Sequence, residues 1–245
     1  MSLRITFITA GRILRQLLND RRTMVLILAM PSLLIALISA IMDSSPQVFN
    51  SVGLILLAFF PFMMMFMITS ITLLRERTGG TLERLMTTPT RKLDLVGGYA
   101  IAFGVAAASQ TAIAATVAYA FLGLETAGPA WAVFLIAIAA SLFGMALGLF
   151  VSAFATTEFQ AIQFMPVFVV PQLLLCGLIW PRDQMAGWLQ GVSDVLPVTY
   201  AVKALTEVQV NTETTAAMWG DLSIVAAAVL VATALGAATL RRRTN

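Results

Sequence analysis

The stretch SSPQVFNSVGLILLAFFPFMMMFMITSITLL (44–74) runs straight into RERTGGTLERLMTTPTRKLDL (75–95). The first thirty-one residues hold no Asp, Glu, Lys or Arg, and the next twenty-one hold eight. A helix rising about 1.5 Å per residue crosses a hydrocarbon core about 30 Å thick in roughly 20 residues, so the first stretch spans a membrane with residues to spare. The second would bury charge if it entered lipid, and marks a loop beside the bilayer.

Five more charge-free windows surround this one, at 23–42, 95–124, 126–157, 159–181 and 222–240. Together they predict six spans near 23–42, 50–74, 97–121, 131–155, 161–180 and 221–240, the last the shortest. Of the 245 residues, 59% are hydrophobic and 11% charged. A soluble domain carries roughly 45–50% and 25%. An ordinary soluble enzyme and a disordered chain are therefore excluded. The expected fold is an all-α polytopic membrane protein with a single transmembrane domain over 1–245.

The charges fix an expected orientation. Thirteen of the fifteen Lys and Arg residues fall in the N-terminal segment, the loop after span two and the C-terminal tail. Six spans put those three regions on one side, which the positive-inside rule makes cytoplasmic. The basic balance is thus a topology signal, and no nucleic-acid partner is expected. Histidine is absent and Cys176 is the single cysteine. That removes a disulfide framework, His-based general-base chemistry and a His- or Cys-based metal site.

Residues 1–22 read as an interfacial helix. Leu3, Phe7, Ala10, Leu14 and Leu17 recur at steps of three and four, with Arg4, Arg12, Arg15 and Asn19 on another side. The apolar run that follows is longer than a signal-peptide core and lacks a clean A-x-A site, so no cleavage is expected.

The charge-free windows themselves disfavour an ion-coupled carrier, which needs a mid-membrane group that changes charge. They offer no Ser–His pair or acidic dyad for intramembrane hydrolysis. The polar groups at depth are Gln110, Thr111, Gln160, Gln163 and Gln172. They read as interhelical hydrogen bonds worth about 0.6–2 kcal/mol each, with the lining of a permeation path as the sharper alternative. Pro31, Pro61, Pro166 and Pro171 interrupt spans one, two and five, where proline removes a helical hydrogen bond and favours a kink. Met63, Met64, Met65 and Met67 follow Phe59, Phe60 and Phe62. Such a soft surface either accepts varied apolar ligands or packs against lipid and core. Gly144 and Gly148 form a GxxxG pair that permits close helix approach.

Two segments are not spans. In 75–96, Gly79 and Gly80 break span two, and Thr81 or Gly80 caps a short helix with Glu83 near its positive end. Leu82, Leu85 and Met86 make an apolar face, and Pro89, restricting Thr88 before it, stops the helix. So short a helix needs a partner, either a groove on another protein or the membrane surface. In 181–220, Trp188, Leu189, Val192, Val195 and Leu196 give a broken amphipathic pattern before Pro197 opens PVTYAVKAL. Short helices dipping into the far interface fit that pattern.

These two segments, in these places, make the chain resemble the membrane subunits of type-2 ABC exporters, which serve drug, antibiotic, lipid and polysaccharide export. Arg75 through Pro89 is similar to that family's cytoplasmic signature. Pro181 through Leu205, with Trp188, Leu196, Pro197 and Tyr200, is similar to its outer re-entrant helices. The resemblance covers essentially the whole chain. One departure is the extra Gly79 before Gly-Thr-Leu-Glu, which shifts the register by a residue.

The resemblance implies two paired permease subunits, identical or not, each docked to an ABC ATPase. The helix at Thr81–Thr88 would be the coupling helix, with Leu82, Leu85 and Met86 in the ATPase groove and Arg75, Glu76, Glu83 and Arg84 in polar contact. A path between subunits would be lined mainly by spans two and five, with Phe60, Met64, Met67, Gln163, Phe168 and Gln172 as its expected wall. No G-x-x-x-x-G-K-[ST] occurs in the sequence, so the chain is expected to bind no cofactor and perform no hydrolysis, with ATP and Mg on the partner. The expected function is ATP-driven export of a hydrophobic or amphipathic compound across a bacterial-type inner membrane. A polysaccharide or lipid-linked glycan permease, or a non-transporting scaffold for a cytosolic protein, are the alternatives.

Overall fold

The computed structural model describes residues 3–80 and 92–239. Among these are nine α-helices and no strand. They are α1 (Leu3–Asn19), α2 (Arg21–Ile41), α3 (Pro46–Thr78), α4 (Lys92–Ala120), α5 (Ala130–Val151), α6 (Glu158–Leu175), α7 (Gly187–Val195), α8 (Pro197–Val210) and α9 (Ala216–Thr239). A 3-10 turn at Arg182–Gln184 precedes α7. Six of the nine, α2, α3, α4, α5, α6 and α9, are long and apolar enough to cross a membrane. The protein is an all-α, multi-pass membrane protein.

The helix ends differ from the charge-free windows in instructive ways. α3 does not stop where its charges begin: Arg75, Glu76 and Arg77 continue the helix, which ends only at Gly79, whose N–H donates to the Arg75 carbonyl, with Gly80 at φ +69° beyond it. α6 stops at Leu175, five residues before the expected end, and Gly177 turns the chain at φ +97°. α9, expected to be the shortest span, has 24 residues and begins at Ala216, which takes Asp221 into its first turns. Pro31, Pro61, Pro166 and Pro171 lie inside helices that run on through them.

Lipid tails are as apolar as leucine, so the hydrophobic effect does not drive membrane helices together; close packing does. α3 and α5 show how. A Cβ on Gly144 would overlap the Phe62 carbonyl oxygen, and one on Gly148 that of Phe66. The bare glycine backbones let the two helices meet at the centre of the bundle, and Phe62 stacks on Phe143 at 5.8 Å. α9 packs on the other side of α5, with Gly236 against the Leu149 side chain.

α8 lies among α3, α5 and α9, with Val198, Ala201, Ala204, Leu205 and Val208 all buried. The segment after α6, expected to form short helices at the far interface, does form two, and the second packs into the core. α7 is the exposed member, with Trp188 and Val195 facing out.

A second core joins α1 and α2 to α4, through Ile13, Ile27, Leu73, Tyr99 and Phe103. α1 is helical as expected, and part of its apolar face packs on protein. Thr6, Thr9, Ala10, Ile13 and Leu17 are buried, while Leu3 and Phe7 are 67% and 62% exposed. Ala10 and Leu17 of the expected apolar face thus meet protein beside Thr6, Thr9 and Ile13, and the helix's first turns present Leu3 and Phe7 outward.

Candidate functional site

The end of α3 is a junction of charges. Arg75 donates from Nε and Nη2 to the two carboxylate oxygens of Glu158, at 2.7 and 2.9 Å. Glu158 sits in the first turn of α6, where the helix dipole favours an anion. That helix start is well made: Thr157 accepts the Gln160 N–H at 3.2 Å, and the Gln160 side chain accepts the Thr156 N–H at 2.8 Å. One residue on, Glu76 accepts from Arg12 of α1 at 3.4 Å. One further, Arg77 donates to Thr239 at the end of α9, at 3.1 Å. Three successive residues thus tie one helix end to three others, and place α1, the start of α6 and the end of α9 at the same end of the bundle.

Between α1, α2 and α3 at this end lies a cavity of about 460 Å³. Its wall is largely apolar, with Leu17, Ile27, Met64 and Met67, and its polar part includes Asp20, Arg75 and Glu76.

Arg75 and Glu76 therefore have partners within the chain, which the sequence did not reveal. Thr81, Leu82, Glu83, Arg84, Leu85, Met86, Thr88 and Pro89 lie outside the described residues. The residues expected to line a path between subunits occupy several places within the one chain. Met64 and Met67 line the cavity. Phe60 is half-buried against the main core. Phe168 packs its ring 6.4 Å from that of Phe66, and Gln163 is exposed.

Gln172 does something else. It is buried, its amide donates to the Phe168 carbonyl at 3.1 Å, and its oxygen accepts the Val198 N–H at 3.3 Å. That satisfies a backbone donor at the start of α8, where a helix has no partner of its own. The rest of this far end is knitted similarly. Ser193 donates to the Leu175 carbonyl at 2.7 Å and accepts from Arg182 Nε at 2.8 Å. Arg182 also pairs with Asp194, and the Tyr200 hydroxyl donates to the Asp194 carbonyl at 2.7 Å. Leu196 caps α8 and Pro197 opens it, where a missing N–H costs nothing.

Of the other polar groups at depth, Thr111 and Ser141 pair across α4 and α5 at 3.3 Å. Gln110 is fully buried with no hydrogen-bond partner for either amide atom among the described residues.

The family described as ABC-2 type transporter matches residues 5–210, most of the chain. The chain belongs to that family. Among its relatives is the linearmycin resistance permease protein LnrN of Bacillus subtilis (strain 168), 26% identical over 170 residues, which are 69% of this chain and 44% of that protein. The probable multidrug ABC transporter permease YbhR of Escherichia coli (strain K12) is 24% identical over 155 residues, 63% of this chain and 42% of its own. ABC transporter G family member 20 of Dictyostelium discoideum is 27% identical over 144 residues, 59% of this chain and 20% of its own. The chain spans less than half the length of these relatives. As an ABC-2 permease chain it is not itself an enzyme.

Proposed function

We propose that this chain is the membrane-spanning subunit of an ATP-driven exporter, which pairs with a second permease subunit and takes its energy from a docked ABC ATPase. The cargo is a hydrophobic or amphipathic compound, of the drug or antibiotic class that the names of two relatives carry. The basic end of the bundle faces the cytoplasm of a bacterial-type inner membrane, as the distribution of Lys and Arg favours. The segment Thr81–Pro89 is the ATPase contact, with Leu82, Leu85 and Met86 in its groove.

The observation that carries this reading is the junction at the end of α3. The residues that lead into the proposed contact are bonded to α1, α6 and α9. A displacement delivered to residues 81–91 would reach three further helices through three successive side chains. ATP and Mg act on the partner, and this chain turns their work into a change in how α6 and α9 sit around α3 and α5.

The test is co-purification of the cognate ATPase with wild-type protein and with Leu85→Asp, both checked for membrane insertion. The variant is expected to insert normally and to lose the ATPase. ATP-dependent flux of a drug or lipid in proteoliposomes holding both subunits completes the test. Normal flux with Leu85→Asp would sink the coupling role, and no flux of any cargo by the intact complex would leave a scaffold.

A further inference from the structure

The cavity between α1, α2 and α3 is built by residues of one chain and is open on one side. Its volume of about 460 Å³ lies in the range of small-molecule sites. Leu17, Ile27, Met64 and Met67 give it an apolar wall, and the two thioethers adapt to irregular shapes.

Its polar part is acidic. Glu76 is only 8% exposed, and its Oε2 has no hydrogen-bond partner among the described residues, while Oε1 takes the contact from Arg12. A buried carboxylate oxygen without a donor is costly, and a donor arriving from a ligand would be strongly held. Asp20 adds a second carboxylate to the wall. Arg75, the guanidinium that lines the same space, is already engaged by both oxygens of Glu158. An anionic head group would therefore face two carboxylates across a cation with its fork occupied. A protonated amine would find the opposite. Leu26, exposed on α2, also lines the cavity, which suits entry from the bilayer.

We propose that this cavity binds a cationic amphiphile, its ammonium head at Glu76 Oε2 and Asp20 and its apolar body against Leu17, Ile27, Met64 and Met67. The binding stands whether or not the chain exports such a compound. It gives Met64 and Met67 a role inside one chain, at the level where a molecule in the inner leaflet would meet the protein.

The probe is radiolabelled dodecylamine, bound to the full chain in nanodiscs of phosphatidylcholine, with empty nanodiscs as background. Dodecanol and dodecanoate are the competitors. Saturable binding of the amine is expected, displaced by unlabelled amine and by neither competitor at the same concentration. Glu76→Gln should weaken it about tenfold, the loss of one charge-assisted bond. Met67→Trp, which fills the apolar part, should weaken it as well. Equal affinity for amine and dodecanol, or an unchanged amine affinity in Glu76→Gln, overturns the proposal and leaves a crevice filled by acyl chains only. Should Glu76→Gln melt below the wild type through its bond to Arg12, Asp20→Asn and Met67→Trp leave that bond in place. An unchanged amine affinity in both then overturns the proposal equally.

Discussion

Replacing Gly144 with alanine adds one methyl group at the tightest point of the bundle. The added Cβ would overlap the Phe62 carbonyl oxygen and stand 2.9 Å from its carbonyl carbon and 3.0 Å from its ring. Carbon atoms rest about 3.5–4.0 Å apart, so α3 and α5 must separate locally by about 0.6 Å or more. The obstacle is backbone, which cannot rotate aside as a side chain would. Overpacking of this kind costs about 1–3 kcal/mol. Alanine in place of glycine inside a helix returns up to about 1 kcal/mol. The net is a loss of about 1–2 kcal/mol, or about 2–8 °C in a chain of this size. Gly220 in α9 is the internal control, because nothing lies within 4 Å of a Cβ built there. Gly220→Ala carries the propensity gain without the clash and should melt at or slightly above the wild type. Thermal unfolding of the three proteins in one detergent, followed by circular dichroism at 222 nm, reads the difference. Gly144→Ala melting at or above the wild type would refute the idea that bare glycine backbone sets the α3–α5 contact.

Three other outcomes follow from the bonds described. Arg75 and Glu158 are half exposed or more, and such pairs contribute about 0.2–1 kcal/mol; Arg75→Glu and Glu158→Arg should each leave melting nearly unchanged yet lower ATP-driven flux, and the double swap should restore flux. Flux unaffected by either single change would separate that pair from transmission. Gln172→Leu strips the acceptor from the buried Val198 N–H, costing about 1–3 kcal/mol, and is expected to lower the melting temperature, with an unchanged melt counting against the bond. Arg182→Met removes the ties to Ser193 and Asp194, so chymotrypsin should cut beside the exposed Trp188 faster than in the wild type, measured as the half-life of the intact chain.

The spans were legible because lipid imposes a simple rule: about twenty residues without charge. The rule says little about ends. Arg75, Glu76 and Arg77 are charged and still helical, because a helix leaving the membrane needs only water or a partner for its side chains. Faces were harder still. In α1 the expected face of Leu3, Phe7, Ala10, Leu14 and Leu17 is divided: Ala10 and Leu17 are buried with Thr6, Thr9 and Ile13, while Leu3 and Phe7 face out. Beside lipid, apolarity alone does not mark the packed side, because small side chains are what let helices approach closely. A short helix from Pro197 was legible, but not that its Val, Ala and Thr residues fill the core, and the close approach that Gly144 and Gly148 permit was legible without its partner, α3. The partners of Arg75 and Glu76 lie 83 and 64 positions away in sequence, and only the folded chain brings them together. For the residues named for a path, the sequence did not show their contacts within the chain: Met64 and Met67 at a cavity, Phe168 against Phe66, Gln172 on the Val198 N–H.

α6 buries only Ala161, Val169 and Gln172 among its eighteen residues. Its two extremities are nonetheless fastened, by Glu158 to α3 at one end and by Gln172 and the Leu175 carbonyl to the following helices at the other. Between those ends Phe164, Phe168 and Leu173 rest partly buried against the core. Both fastenings are side-chain bonds set off the helix axis, so any turn or tilt of α6 must first part Glu158 from Arg75 or Gln172 from Val198. The helix is held in register like a page clipped at both edges, and Gln163 keeps its outward facing while the clips hold.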